Sequence, residues 1–258
     1  MQHSADQRNI TILDLMILTI CCLAFFSGGL IKGVVGMGLP LTSVALMTQV
    51  VDLRIAVPLL VIPILATNFF QAIRGGNARL IISQYWSLIV TACVFTFAGV
   101  YILMNVDTAL IIMILGAVIT VYALVNIFAF HVTVSHKHKF WLSPVTGIAA
   151  GLMGGMTGVI AIPTIIYFQA LGLRKDLFVQ ALGITFFIAG MFLLLALWQR
   201  RILNLENLPI SALAMLPAMV GMYLGEKIRR LISEERFRIG VFLLLALAGL
   251  NLVRKALS

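Results

Sequence analysis

Long stretches without a single charge alternate along this chain with short clusters of Lys, Arg, Asp and Glu. The longest run from Leu15 to Ile31, Ser83 to Met104, Thr108 to Phe130, Leu177 to Trp198 and Ile239 to Val253. A hydrocarbon core of about 30 Å takes about 20 helical residues. These stretches therefore predict transmembrane helices. Barrel strands would instead show ~10-residue alternating segments, whereas these runs are apolar on every face. Two shorter apolar segments, Pro40 to Val51 and Pro163 to Leu173, each follow a glycine-rich stretch. As a helix, residues 38–51 would extend only about 21 Å.

The order of these segments recurs. "GLIKGVVG", Gly29 to Gly36, lies over "GLMGGMTG", Gly151 to Gly158. Gly29, Leu30, Gly33 and Gly36 match Gly151, Leu152, Gly155 and Gly158. One residue of slippage later, Pro40 meets Pro163. After each proline come a short segment, a charge cluster, a long run, an arginine pair and two more runs. The pattern predicts an all-α polytopic integral membrane protein of two homologous repeats, 12–130 and 141–255. A basic loop at 131–140 joins them. Each repeat has four long segments and one short one after its glycine break, giving 8 to 10 membrane segments.

Basic residues bear on that number, because cytoplasmic loops are enriched in Lys and Arg. If the short segments fold back, the 18 Lys and Arg split evenly between the two sides. If they cross, Lys32, Arg74, Arg79, Lys137, Lys139, Arg174, Lys175, Lys227, Arg229, Arg230, Arg236 and Arg238 share one side. Ten crossings, with both termini on the other side and the halves inverted, fit the rule better.

Composition agrees with a lipid solvent. Of 258 residues, 62% are hydrophobic and 10% charged, with mean hydropathy +1.10. A soluble domain carries about a quarter charged residues. The net charge of +9 lies between apolar runs, where it sets orientation rather than binding nucleic acid. Cys21, Cys22 and Cys93 all fall inside apolar runs and read as small hydrophobes, not a disulfide frame. The start, Met1 to Asn9, is polar, Asp14 interrupts any signal-peptide core and no small-residue cleavage site stands out, so the first run reads as a retained span. His131, His136 and His138 belong to the basic loop.

The glycine stretch "GGLIKGVVGMGLP", Gly28 to Pro40, lacks the Gly-Lys-Ser/Thr of a phosphate loop. No serine-nucleophile or metal-ligand spacing accompanies it, so neither a catalytic residue nor a cofactor is expected. Glycines four apart also pack helices closely. That alone does not explain Gly33, Gly36 and Gly38 before Pro40, nor Gly155, Thr157 and Gly158 before Pro163. Such stretches break a helix and start another. Paired broken helices mark binding sites in transporters built from repeats, and a helix N-terminus suits an anion. Lys32 stands in the first break alone, where the second has Gly154. A lysine within a span is a functional candidate, and a snorkelling side chain is its alternative. Thr67, Asn68, Gln71, Gln180 and Thr185 are further polar residues inside apolar runs. They serve either as hydrogen-bond partners for an oxyanion or as contacts between helices.

Together "GGLIKGVVGMGLP" and "AGLMGGMTGVIAIP" resemble the glycine-rich motifs of the sulfite exporter TauE/SafE family. The resemblance runs from about Leu15 to Leu252. It implies a multi-pass transporter of the bacterial cytoplasmic membrane for a small anion, sulfite or an organosulfur compound, often in export. An anion channel and a carrier of another small organic acid are the alternatives. The partners expected are the anion and the bilayer; self-association stays open.

Overall fold

The computed structural model describes residues 2–128, 138–203, 208–229 and 234–257, and side chains within these from Met16 to Arg229 and after Arg238. The joining loop as far as Lys137, with His131 and His136, lies outside the described residues. Ten helices are described: α1 (Gln2–Val35), α2 (Leu39–Met47), α3 (Leu53–Ile73), α4 (Ala78–Asn105), α5 (Thr108–Ile127), α6 (Lys139–Thr157), α7 (Ala161–Ala170), α8 (Lys175–Gln199), α9 (Leu208–Ile228) and α10 (Glu234–Leu257). Seven are long and apolar enough to cross a membrane, with Met16–Val35 the apolar part of α1. The other three are the short α2 and α7, and α6, whose hydropathy is diluted by Gly147, Gly151, Gly154 and Gly155.

The short helices begin where the sequence breaks. Gly36 (φ +89°) and Gly38 (φ +110°) take the left-handed backbone that a side chain resists. Pro40 and Pro163 both sit in the first turn of their helices, where a missing N–H costs nothing. α2 ends at Met47 and α7 starts at Ala161, so both are shorter or earlier than the apolar segments that predict them. They are roughly 14 and 15 Å long.

Each short helix turns the chain back. Gly28 packs against Leu39, and the Ser43 hydroxyl donates to the Ala24 carbonyl at 3.1 Å, so α2 runs antiparallel to α1. α3 then returns beside α1, placing Gln71 against Gly36. In the same way Tyr167 of α7 meets Ser143 of α6 at 3.0 Å. All ten helices thus alternate in direction. Lys32, Arg74, Arg79, Lys139, Arg174, Lys175, Lys227 and Arg229 gather at one end of the bundle. Arg54, Arg200, Arg201, Arg254 and Lys255 lie at the other. We refer to these as the basic end and the far end. Arg54, at the start of α3, is on the opposite end from Lys32.

The main packing partners cross the midpoint of the chain: α1 lies on α9, α6 on α4, α5 on α10 and α3 on α8. Glycine makes the first two possible. Gly29 meets the backbone of Ala218, and Gly33 meets Met222, Gly225 and Glu226. Gly151 meets the backbone of Ala92, and Gly155 meets Thr96, Gly99 and Val100. The two sets are related by an offset of 122 residues on α1 and α6, and 126 on α4 and α9.

α3 carries Pro58 and Pro63 inside it. Pro63 has no N–H for the Leu59 carbonyl, one turn back. Buried Ser211 of α9 donates its hydroxyl to that carbonyl at 3.1 Å and accepts from the Ile62 N–H at 3.3 Å. A carbonyl that lipid could not solvate is thereby satisfied from a neighbouring helix.

The glycine seams are testable. A Cβ at Gly155 would stand 2.7 Å from Gly99 Cα and the Val100 nitrogen, both immobile backbone. Gly155→Ala should lower the thermal unfolding midpoint in detergent. Gly240, with open space around it, gains helix propensity as Ala, roughly 1 kcal/mol, so Gly240→Ala should leave the midpoint unchanged or raise it.

Candidate functional site

The last turn of α1 and the end of α3 form the site together. The Gly36 N–H closes the α1 helix on the Lys32 carbonyl at 2.7 Å. The chain then leaves helical geometry, freeing the Gly36 carbonyl. Gln71 Nε2, from α3, donates to it at 2.8 Å. Irregular backbone at membrane depth survives only when satisfied in this way or facing a cavity. One turn earlier on each helix, the Lys32 ammonium donates to Asn68 Oδ1. Lys32 is only 3% exposed, which removes the snorkelling alternative. No carboxylate among the described residues pairs with it.

Gln180 of α8 completes the frame. Its Nε2 donates to the Ala72 carbonyl at 3.0 Å, and its Oε1 accepts from the Asn77 N–H at 3.1 Å. It thus ties α8 to the turn at Gly75 and Gly76, both at positive φ.

These groups border a cavity of about 680 Å³ at the basic end. Lys32, Gly33 and Gly36 line it from α1, Gln71 and Gln180 from the sides, with Val179 and Met222 as its apolar patches. Arg74, Gly75, Lys175, Asp176, Glu226 and Arg229 complete the lining. Arg74 Nη1 bonds Glu226 Oε1 at 3.0 Å, spanning α3 and α9. Four cations against two carboxylates leave the lining net positive.

The cavity thus collects five of the candidate residues, Lys32, Gly33, Gly36, Gln71 and Gln180, with Asn68 directly behind Lys32. The others lie elsewhere. Gly38 borders a small apolar pocket beside Tyr122 and Phe242, and Pro40 is buried in the first turn of α2. Thr67 donates to the Pro63 carbonyl of its own helix at 2.7 Å. Gly155 is part of the α4 seam. Thr157 donates to the Met153 carbonyl at 2.7 Å and accepts from the Val159 N–H at 3.2 Å. Gly158 (φ +73°) packs against Leu60, and Pro163 sits in the first turn of α7. Thr185 is fully buried, and its hydroxyl finds no partner among the described residues.

The sequence reading missed Arg74, Lys175, Asp176, Glu226 and Arg229 as lining residues. Each lies at the end of an apolar run, where a charge meeting the lipid headgroups looks the same. Only the packing of α8 and α9 beside α1 distinguishes the two situations.

A bundle of apolar helices enclosing a broken helix and a polar, net-positive cavity is the build of a multi-pass membrane transporter. The chain belongs to the sulfite exporter TauE/SafE family, whose model matches residues 20–252. Members of that family are membrane transporters, not enzymes, and the family implies a small anionic substrate. No curated protein and no solved structure matches this chain.

The Lys32–Asn68 contact predicts a coupled pair. Asn68→Leu strands a buried ammonium, a loss of about 1–3 kcal/mol or more. It should lower the thermal unfolding midpoint in detergent. Adding Lys32→Met to the same chain should recover part of that loss. Additive effects of the two substitutions would show that the pair is not coupled.

Proposed function

We propose that this protein is a secondary transporter that moves sulfite or a small organosulfur anion across the bacterial cytoplasmic membrane. The observation that carries this reading is Lys32. A charged ammonium removed from water is costly unless a counter-charge meets it. Its one hydrogen-bond partner among the described residues, Asn68, is neutral, and it borders a net-positive cavity. An anion entering that cavity supplies the missing charge. Gln71 and Gln180 stand near enough to offer amide donors once their present bonds to Gly36 and Ala72 rearrange.

The two halves, 12–130 and 141–255, act as inverted repeats that cross the membrane five times each. Three observations support this. Helix directions alternate through all ten elements. The glycine seams repeat at fixed offsets with the halves exchanged: α1 of the first half on α9 of the second, α6 of the second on α4 of the first. The contact of Gly36 with Val179 has a counterpart in that of Gly158 with Val57, again at 122 residues. The basic end faces the cytoplasm, following the positive-inside rule. The cavity then opens to the cytoplasm, on the loading side for export. Rocking of one half against the other exposes the site alternately.

Flux in proteoliposomes, measured with a panel of sulfur and carboxylate anions, tests the reading. Flux should saturate and accelerate with counter-substrate, which a channel does not do. Lys32→Ala should cut anion flux about tenfold or more, the scale of a lost charge-assisted hydrogen bond of roughly 1.5–3 kcal/mol. Unchanged kinetics in that variant would remove Lys32 from the site. Separately, a reporter inserted at Asp52–Arg54 should face the periplasm.

A further inference from the structure

We infer that the far end holds a second vestibule, closed in this structure and latched by Arg54, through which the anion leaves. The inference rests on the transporter and inverted-repeat readings above. It concerns a path that those readings leave unassigned.

The offsets that relate the glycine seams also relate the cavity to a place at the far end. Gly36 and Val179 map to Gly158 and Val57. Met222 and Glu226 map to Thr96 and Val100. At the basic end these positions surround about 680 Å³ of space. At the far end their counterparts are packed shut. Val57 and Val100 are 0% exposed and Thr96 is 1% exposed. A Cβ on Gly36 would meet nothing nearer than Val179 at 3.4 Å, whereas one on Gly158 would press on Leu60 at 2.9 Å. The same architecture is therefore open at one end and collapsed at the other.

One pair of positions shows how the closed end is held. Asp176 and Arg229 both line the open cavity. Their counterparts under the same offsets are Arg54 and Leu103, and these are joined. Arg54 Nε donates to the Leu103 carbonyl at 3.1 Å, and its Nη2 donates to the Val106 carbonyl at 3.2 Å. Asp52 fixes the start of α3 by accepting from the Arg54 N–H at 2.7 Å. The guanidinium thus fastens the first turn of α3 to the last turn of α4, across the place where the vestibule would open. Breaking two hydrogen bonds to carbonyls at an exposed edge is inexpensive, because water replaces them. The released guanidinium is then the one cation among these counterpart positions, and it meets the departing anion.

The test uses the full-length protein in proteoliposomes, with Cys21, Cys22 and Cys93 replaced by Ala and one cysteine introduced at Val57. An impermeant, anionic thiosulfonate is present on both faces, and methanesulfonate is the probe anion. Reaction at Val57→Cys should accelerate when methanesulfonate is added. Arg54→Ala should raise the unstimulated rate several-fold. Modification at this position should block flux. Val100→Cys, on the opposite wall, repeats the measurement if Val57→Cys does not reconstitute. Methanesulfonate flux with both cysteines unreactive overturns the vestibule and leaves the transporter reading intact. Reactivity that Arg54→Ala fails to raise overturns the latch. A reactive Val57→Cys without flux of any panel anion supports the opening and sinks the anion-transport reading. Neither reactivity nor flux overturns both.

Discussion

Contact between glycine and bare backbone is the constraint on which the rest of this structure depends. Lipid gives helices no hydrophobic reason to associate, so close packing has to do so. At Gly29 and Gly33 the absent Cβ lets α1 touch the main chain of α9. At Gly151 and Gly155 it does the same for α6 on α4. These seams fix how α1 and α6 are rotated. With α1 so oriented, Lys32, adjacent to Gly33, points toward α3 and the cavity rather than toward lipid. The breaks at Gly36 and Gly158 then fall where α8 and α3 begin. A larger residue at Gly29 would move a site that it does not itself touch.

The irregular backbone is stabilised by the same interleaving. The carbonyl released at Gly36 is met by Gln71, the one released by Pro63 is met by Ser211, and the turn after α3 is held by Gln180. Two of these three partners come from the other half of the chain. At the far end, Lys255 reaches the Thr48 carbonyl at 2.7 Å and so caps α2, with its positive charge at the negative end of that helix. Each of these breaks is thus bridged by a side chain from a neighbouring helix.

Much of the fold was legible in the sequence because lipid imposes a simple rule on it. A run such as Thr108 to Phe130 can do little but cross. The short helices could be read from glycine followed by proline, although the start of α7 at Ala161 could not, since proline is tolerated anywhere in the first turn. α6 was legible from its place in the repeating order and not from its hydropathy. Within the cavity, Lys32, Gln71 and Gln180 stood out as polar residues in apolar surroundings. Thr67 and Thr185 stood out for the same reason but lie outside the lining, because a threonine hydroxyl can bond its own helix or remain buried. The charges at the mouth carried no such mark. Glu226 becomes part of the cavity only through its contact with Arg74, 152 residues earlier in the chain.

The exchanged pairing has a consequence for biogenesis. α1 packs on α9, which is synthesised some 190 residues later, and α5 waits likewise for α10. Contacts so distant in sequence form late. Until then, the glycine seam of α1 stands without the helix that covers it. The first half cannot be a finished folding unit to which the second is appended. Assembly of α1 and α5 into the bundle therefore waits until α9 and α10 leave the ribosome.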